Sequence, residues 1–273
     1  MNDFAIAAVL GVVEGITEFL PISSTGHLII AGHLLGFVGE KAASFEVAIQ
    51  LGAILSVVWL YWRRFVALLP GMQFPVAAES TLTGWPGLQR IALATVPALT
   101  VGYLARHAIK AQLFNPEAVT LALATGGIAI LLGERLAARR YVTSLEAVTL
   151  RQALGVGIFQ ILALWPGTSR AAATIIGGMI LGLERKAAAE FSFLIAVPVL
   201  FVASGYELLK MRDQIVADDA ISLTIGFVIS FVVALLAIKV FVSYLSRGKL
   251  APFAWYRIVV APIFYFLTRG TAL

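Results

Sequence analysis

The sequence contains no cysteine, which excludes disulfide staples, thiolate metal sites and cysteine nucleophiles and leaves the redox compartment open. Charge is the next scarcity. Asp, Glu, Lys and Arg make up 13% of the residues, about half the roughly 25% of a soluble globular chain. No P-loop pattern occurs, so nucleotide-driven chemistry is not expected. The opening run MNDFAIAAVLGVVEG has neither a basic n-region nor a small-residue cleavage site and reads as mature protein. What abounds is apolar: 60% of the 273 residues are hydrophobic. Length alone would suggest about two soluble domains, but this composition is that of an integral membrane protein.

Six apolar stretches, at roughly 45–62, 88–105, 117–133, 190–208, 221–244 and 253–268, are long enough or nearly so to span about 30 Å of hydrocarbon at about 1.5 Å per residue. Two further apolar regions are interrupted. Residues 4–20 stop at Pro21, pass through ISSTGH and resume only to Phe37; residues 152–165 stop at Pro166, pass through GTSR and resume only to Leu183. Polar, Pro-marked backbone at membrane depth is tolerated only where protein or a water-filled cavity shields it, so two re-entrant helical hairpins are expected. The regions resemble each other, with Pro21-Ile22-Ser23-Ser24-Thr25 aligning on Pro166-Gly167-Thr168-Ser169-Arg170 at an offset of 145, and Phe45–Ile49 aligning loosely on Ala189–Phe193 at 144. The expected fold is therefore an all-α integral membrane protein of about six transmembrane helices plus two re-entrant hairpins. One transmembrane domain covers residues 1–273, with repeat one at about 1–133 and repeat two at about 151–268. A hairpin and three spans per copy force opposite orientations, the inverted-topology plan of many transporters.

Twenty Lys and Arg against fifteen Asp and Glu give a net charge of +5. The cations sit mostly between apolar blocks, as topology signals do, and not in a stripe suited to nucleic acid. If the spans alternate, one side collects Arg63, Arg64, Arg90, Arg135, Arg139, Arg140, Arg151, Arg185, Lys186, Arg247 and Lys249. The other collects Lys41, Arg106, Lys110, Lys210, Arg212 and Arg269. The richer set belongs in the cytoplasm, which puts both termini and the first hairpin outside.

Three charges resist assignment to either face. Glu14 and Glu18, four apart in an apolar helical run, project from one helix face. Each carboxylate at membrane depth costs roughly 2.5–3.5 kcal/mol, and like charges at this spacing repel; a cation between them, divalent metal or guanidinium, relieves both costs. The first break supplies Ser23, Ser24, Thr25, Gly26 and His27 where a helix begins, a ready anion site. The second break supplies Gly167, Thr168, Ser169 and Arg170 at another helix start, and a guanidinium binds phosphate bidentately. Glu46 and Glu190 open spans at matching positions and either line the same cavity or complement helix dipoles. His107, with Arg106 and Lys110, is expected on a solvated loop. Gln50 and Gln160 are intramembrane polar residues without an assigned role. The combined set suits a phosphate or pyrophosphate held within the membrane with Mg²⁺ or Ca²⁺.

GVVEGITEFLPISSTGH and LWPGTSRAAATIIGGMILG closely resemble the two signature segments of the bacterial undecaprenyl-pyrophosphate phosphatases, the bacitracin-resistance membrane family. The resemblance extends through FEVAIQLGAIL and EFSFLIAVP to essentially the whole chain. It implies hydrolysis of undecaprenyl pyrophosphate to undecaprenyl phosphate and inorganic phosphate, recycling the lipid carrier of peptidoglycan and cell-envelope synthesis. It also implies a place in the bacterial cytoplasmic (inner) membrane, a site opening to the periplasmic side, and bacitracin as a competitor for the substrate. Oligomeric state is left open, with a homodimer as one form. By resemblance, Glu14 and Glu18 are the metal and acid/base pair, Ser24 is the nucleophile with His27 as general base, and Ser169 and Arg170 hold the pyrophosphate, with Ser23, Thr25, Gly26 and Thr168 around it. His27 as the nucleophile itself stays open. One departure stands out: the family usually has Ser-Gly after the Arg, where this chain has Ala171-Ala172. The alternative function is a polyprenyl-phosphate transporter or flippase.

Overall fold

The computed structural model describes residues 2–72, 80–137, 142–211 and 220–269. Arg139, Arg140 and Arg212 lie outside the described residues, as does the side chain of Lys41. Without water to satisfy backbone groups, an apolar run in lipid closes its own hydrogen bonds as a helix. The chain accordingly runs α1 (Asp3–Thr17), α2 (Ser24–Leu35), α3 (Glu40–Leu60), α4 (Trp62–Ala67), α5 (Gly84–Leu113), α6 (Pro116–Leu136), α7 (Leu150–Ile161), α8 (Arg170–Ile180), α9 (Arg185–Met211), α10 (Ala220–Leu245) and α11 (Ala251–Thr268). Among the described residues, six of these helices (α3, α5, α6, α9, α10 and α11) are long and apolar enough to cross a membrane. This is an all-α, multi-pass integral membrane protein.

The helix α5 outruns its apolar stretch. Its 30 residues reach about 45 Å, so Arg106, exposed His107 and Lys110 lie in its last turns and not on a loop. Apolar patterning marks only the part of a helix that meets lipid, whereas Arg and Lys are good helix formers that carry it onward. Several of the expected topology cations are also engaged. Arg64 pairs with Glu146, which accepts from Ser80 as well. Glu134 pairs with Arg185 at 3.0 Å and accepts from the backbone N–H groups of Leu250 and Ala251, capping α11.

The two broken segments form helix–break–helix pairs, α1–α2 and α7–α8. Each inserts against a helix of the other half: α1 lies on α10 and α7 on α5, while α3 meets α9 and α6 meets α11. The approach of α1 to α10 is close enough that a Cβ on Gly11 would stand 2.6 Å from the carbonyl of Gly226, the small-residue contact by which membrane helices gain dispersion. Local geometry recurs between the halves at a spacing of 146. Ser23 and Ser169 cap α2 and α8 with φ of 76° and 72°. At the other ends Gly36 donates to His33 and Phe37 to Gly32, as Gly182 donates to Met179 and Leu183 to Gly178. The spacing differs by one residue from the aligned Pro motifs, because Pro21 and Pro166 stand two and three residues before their caps. Ser23, and not Ser24, is thus the counterpart of Ser169; Ser24 is the counterpart of Arg170, and Glu46 of Ser192.

Candidate active site

The breaks meet in the interior. Ser23 is buried, and its hydroxyl accepts from the N–H of Gly26 at 3.4 Å; Ser169 accepts from Ala172 N–H at 3.2 Å and donates to the Leu20 carbonyl at 3.4 Å. Both caps hold positive φ without being glycine, backbone conformations that cost of order 1–3 kcal/mol and persist where the surroundings over-determine them. The hydroxyls of Ser23 and Ser169, expected to bind substrate, thus also cap the helices that start at the breaks. Thr25 is half-buried and Gly26 buried at the head of α2, and Thr168 is half-buried before α8. Gly167 has φ +95°, and a Cβ there would lie 2.7 Å from the Val119 carbonyl, so only glycine lets the second break approach α6 this closely.

Glu18 joins the two breaks. One carboxylate oxygen accepts from the Ser24 hydroxyl at 2.6 Å; the other accepts from Arg170 Nη2 at 3.1 Å. Both charged side chains are nearly buried, 5% and 9% exposed, so the pair sits where water screens it little and its geometry matters most. Arg170 Nη1 also donates to the carbonyl and hydroxyl of Ser192, at 3.1 and 3.3 Å, and Ser192 Oγ hydrogen-bonds Thr174 Oγ1 at 2.6 Å. The guanidinium lies over the Phe19 ring, 5.5 Å from its centroid. Ser192, unremarked in the sequence, is thus a direct hydrogen-bond partner of Arg170. Ala171 and Ala172 are buried in the main core cluster, where a hydroxyl at 171 would need its own partner.

Glu14 is 1% exposed and, among the described residues, neither of its oxygens has a hydrogen-bond partner; Arg170 Nε likewise has none there. A buried carboxylate without partners is strongly disfavoured, and its donor set suits a hard divalent cation. Among the described residues no three His, Asp or Glu side chains cluster for a metal. Two carboxylates with substrate oxygens and water completing the sphere is nonetheless a common Mg²⁺ arrangement, and Glu14 with Glu18 fits it. Of the remaining polar residues, Gln50 accepts from Ser204 at 2.8 Å and Gln160 donates to the Ala94 carbonyl at 2.9 Å.

Among the described residues His27 makes no hydrogen bond to Ser24, whose hydroxyl donates to Glu18 instead. The His27 Nδ1 is 2.7 Å from the Ser23 carbonyl and its Nε2 is 2.8 Å from the Tyr256 hydroxyl. Next to Tyr256 stands the residue the sequence reading passes over. Arg257 in α11 is fully buried, and all five of its N–H donors meet carbonyls: Nε to Leu123, Nη1 to Pro21 and Thr168, Nη2 to Ala122 and Gly167, at 2.7–3.3 Å. One guanidinium so ties the backbone of both breaks to α6 and α11. A charge in the middle of an apolar span was signal enough to single it out; the span at 253–268 hid it by being read as a block.

Fold and site together define a polytopic membrane protein in which two helix starts, a buried Glu–Arg pair and a Ser hydroxyl come together, an arrangement whose chemistry suits an anion. Residues 7–263 match the family described as Bacitracin resistance protein BacA, and the chain belongs to that family. Relatives bearing the name undecaprenyl-diphosphatase occur in Maridesulfovibrio salexigens, 53% identical over 97% of this chain and 99% of the relative, and in Solidesulfovibrio magneticus, 52% identical over 97% and 98%. A third, from Nitratidesulfovibrio vulgaris, is 51% identical over 97% and 98%.

Proposed function

We propose that this chain hydrolyses undecaprenyl pyrophosphate to undecaprenyl phosphate and inorganic phosphate, returning the lipid carrier to peptidoglycan and envelope synthesis. The observation that carries the reading is the row Ser24–Glu18–Arg170, with nucleophile, proton acceptor and phosphate ligand hydrogen-bonded in sequence. Ser24 Oγ attacks the terminal phosphorus in line while its proton passes to Glu18. The phosphorus–bridging oxygen bond breaks and the lipid monophosphate leaves. Water then attacks the phosphoserine, its proton passing to His27 Nε2; inorganic phosphate departs and Ser24 regains its proton from Glu18. Arg170 and the free N–H groups at the starts of α2 and α8 stabilise the charge on the non-bridging oxygens. Glu14 and Glu18 would hold a divalent cation, Mg²⁺ or Ca²⁺, which when bound adds neutralisation of that same charge.

The same reading puts the chain in the bacterial cytoplasmic membrane. The two broken segments are re-entrant hairpins of an inverted repeat, and the site opens to the outer side, where bacitracin competes for the substrate. The excess of cations on the opposite face and the reciprocal insertion of α1 and α7 into the other half support it. Purified protein in detergent is expected to release phosphate from a polyprenyl pyrophosphate, to lose that activity in EDTA and to regain it on adding back a divalent metal. Absence of release under every metal condition, with polyprenyl phosphate still translocated in liposomes, would replace the hydrolase with a transporter.

A further inference from the structure

A carbonyl oxygen only accepts, so the 2.7 Å contact with Ser23 fixes the proton of His27 on Nδ1 whether the ring is neutral or charged. The lone pair of the neutral ring is then on Nε2, and its partner is the Tyr256 hydroxyl at 2.8 Å. The two rings are parallel within 7°. A phenol both donates and accepts. It donates to Nε2 when the imidazole is neutral and accepts from Nε2–H once a proton has arrived, so the contact survives both states. A carbonyl in that place would require a protonated Nε2, and a cation would forbid one. Tyr256 is itself placed by its neighbour: Arg257 anchors α11 to Pro21, Gly167 and Thr168 at hydrogen-bond tolerance. Adjacent helix positions point about 100° apart, so Arg257 is buried while Tyr256 is 44% exposed and reaches His27.

We propose that Tyr256 is a positioning residue for His27, holding the ring so that Nε2 alone exchanges a proton during the reaction. The inference rests on the phosphatase reading above for its catalytic meaning and on the hydrogen-bond geometry for its structural one. Tyr256→Phe keeps the ring and its stacking and removes only the hydroxyl. Phosphate release by that variant is expected to show kcat lowered at least about tenfold, a modest part of what a placed acid–base group contributes, with KM within about twofold and Tm unchanged. In a His27→Ala background the same change should alter the residual rate less than about twofold, because the effect travels through His27. An equal loss in both backgrounds, or no loss in the single variant, overturns the proposal. A second arm needs no activity. Nitrogen-15 NMR of histidine-labelled protein, with His33 and His107 replaced to leave one signal set, is expected to show an Nδ1–H tautomer whose Nε2 resonance moves toward the free lone-pair value in Tyr256→Phe. An unmoved Nε2 resonance overturns the positioning role even where phosphate release fails, and a moved one upholds it even if the hydrolase reading falls.

Discussion

Arg257→Met removes five donors while keeping a long unbranched side chain in the same space. The Ala122 and Leu123 carbonyls belong to α6, whose own ladder still serves them. The Pro21, Gly167 and Thr168 carbonyls belong to the breaks. Three charge-assisted hydrogen bonds at about 1.5–3 kcal/mol each are lost, against several kcal/mol regained from no longer burying a guanidinium. The net is a destabilisation of about 2–4 kcal/mol, or a fall in Tm of about 5–15 °C for a chain of this size. Because a shift of about 1 Å in reacting groups costs roughly a hundredfold in rate, phosphate release should fall by at least that factor at temperatures where the variant is still folded. Arg257→Lys restores the charge but presents three donors from one point, and should recover stability more than rate. Thermal melts in detergent, read beside phosphate release for both variants, provide the check. An Arg257→Met protein with unchanged Tm and rate would mean that the guanidinium does not hold the breaks together.

Gly167→Ala combines a positive φ with a Cβ 2.7 Å from the Val119 carbonyl and should abolish a monodisperse folded species on gel filtration. Gly205→Ala, with nothing within 4 Å, should leave the elution profile and Tm intact. Glu134→Ala removes the Arg185 bridge and the cap of α11, a loss of about 1–2 kcal/mol visible as a Tm lower by a few degrees with kcat within about twofold. Glu14→Gln leaves the Glu18–Arg170 pair in place, so metal titration of phosphate release should show at least a tenfold weaker apparent affinity; an unchanged titration would remove Glu14 from the metal set.

Much of the fold was legible because hydropathy and helix period are local. The six spans and both breaks follow from where Leu, Val, Ile and Ala run on and where Pro, Ser and Gly interrupt them. The acidic and basic members of the site, Glu18 and Arg170, stood out because neither can be spared in lipid without a partner, and they are indeed each other's. What stayed hidden depends on contacts across the chain. Tyr256 and His27 are 229 positions apart, and nothing in FAWYRIVVAP says which break its tyrosine reaches. The repeat spacing was missed by one residue because Pro is conspicuous, whereas a serine forced into positive φ leaves no mark in the sequence. Ser192 was overlooked for a related reason: a small hydroxyl in EFSFLIAVP carries no sign of the guanidinium that it meets.

The central claim, that Glu18 and Arg170 perform chemistry and do not merely brace the fold, is tested most directly by phosphate release from a polyprenyl pyrophosphate. Wild type, Glu18→Ala and Arg170→Ala would be compared at saturating metal, each first shown to elute as a folded species. Release by wild type with both variants at least about a hundredfold slower is the expected result. Variants that release phosphate at near the wild-type rate would contradict it.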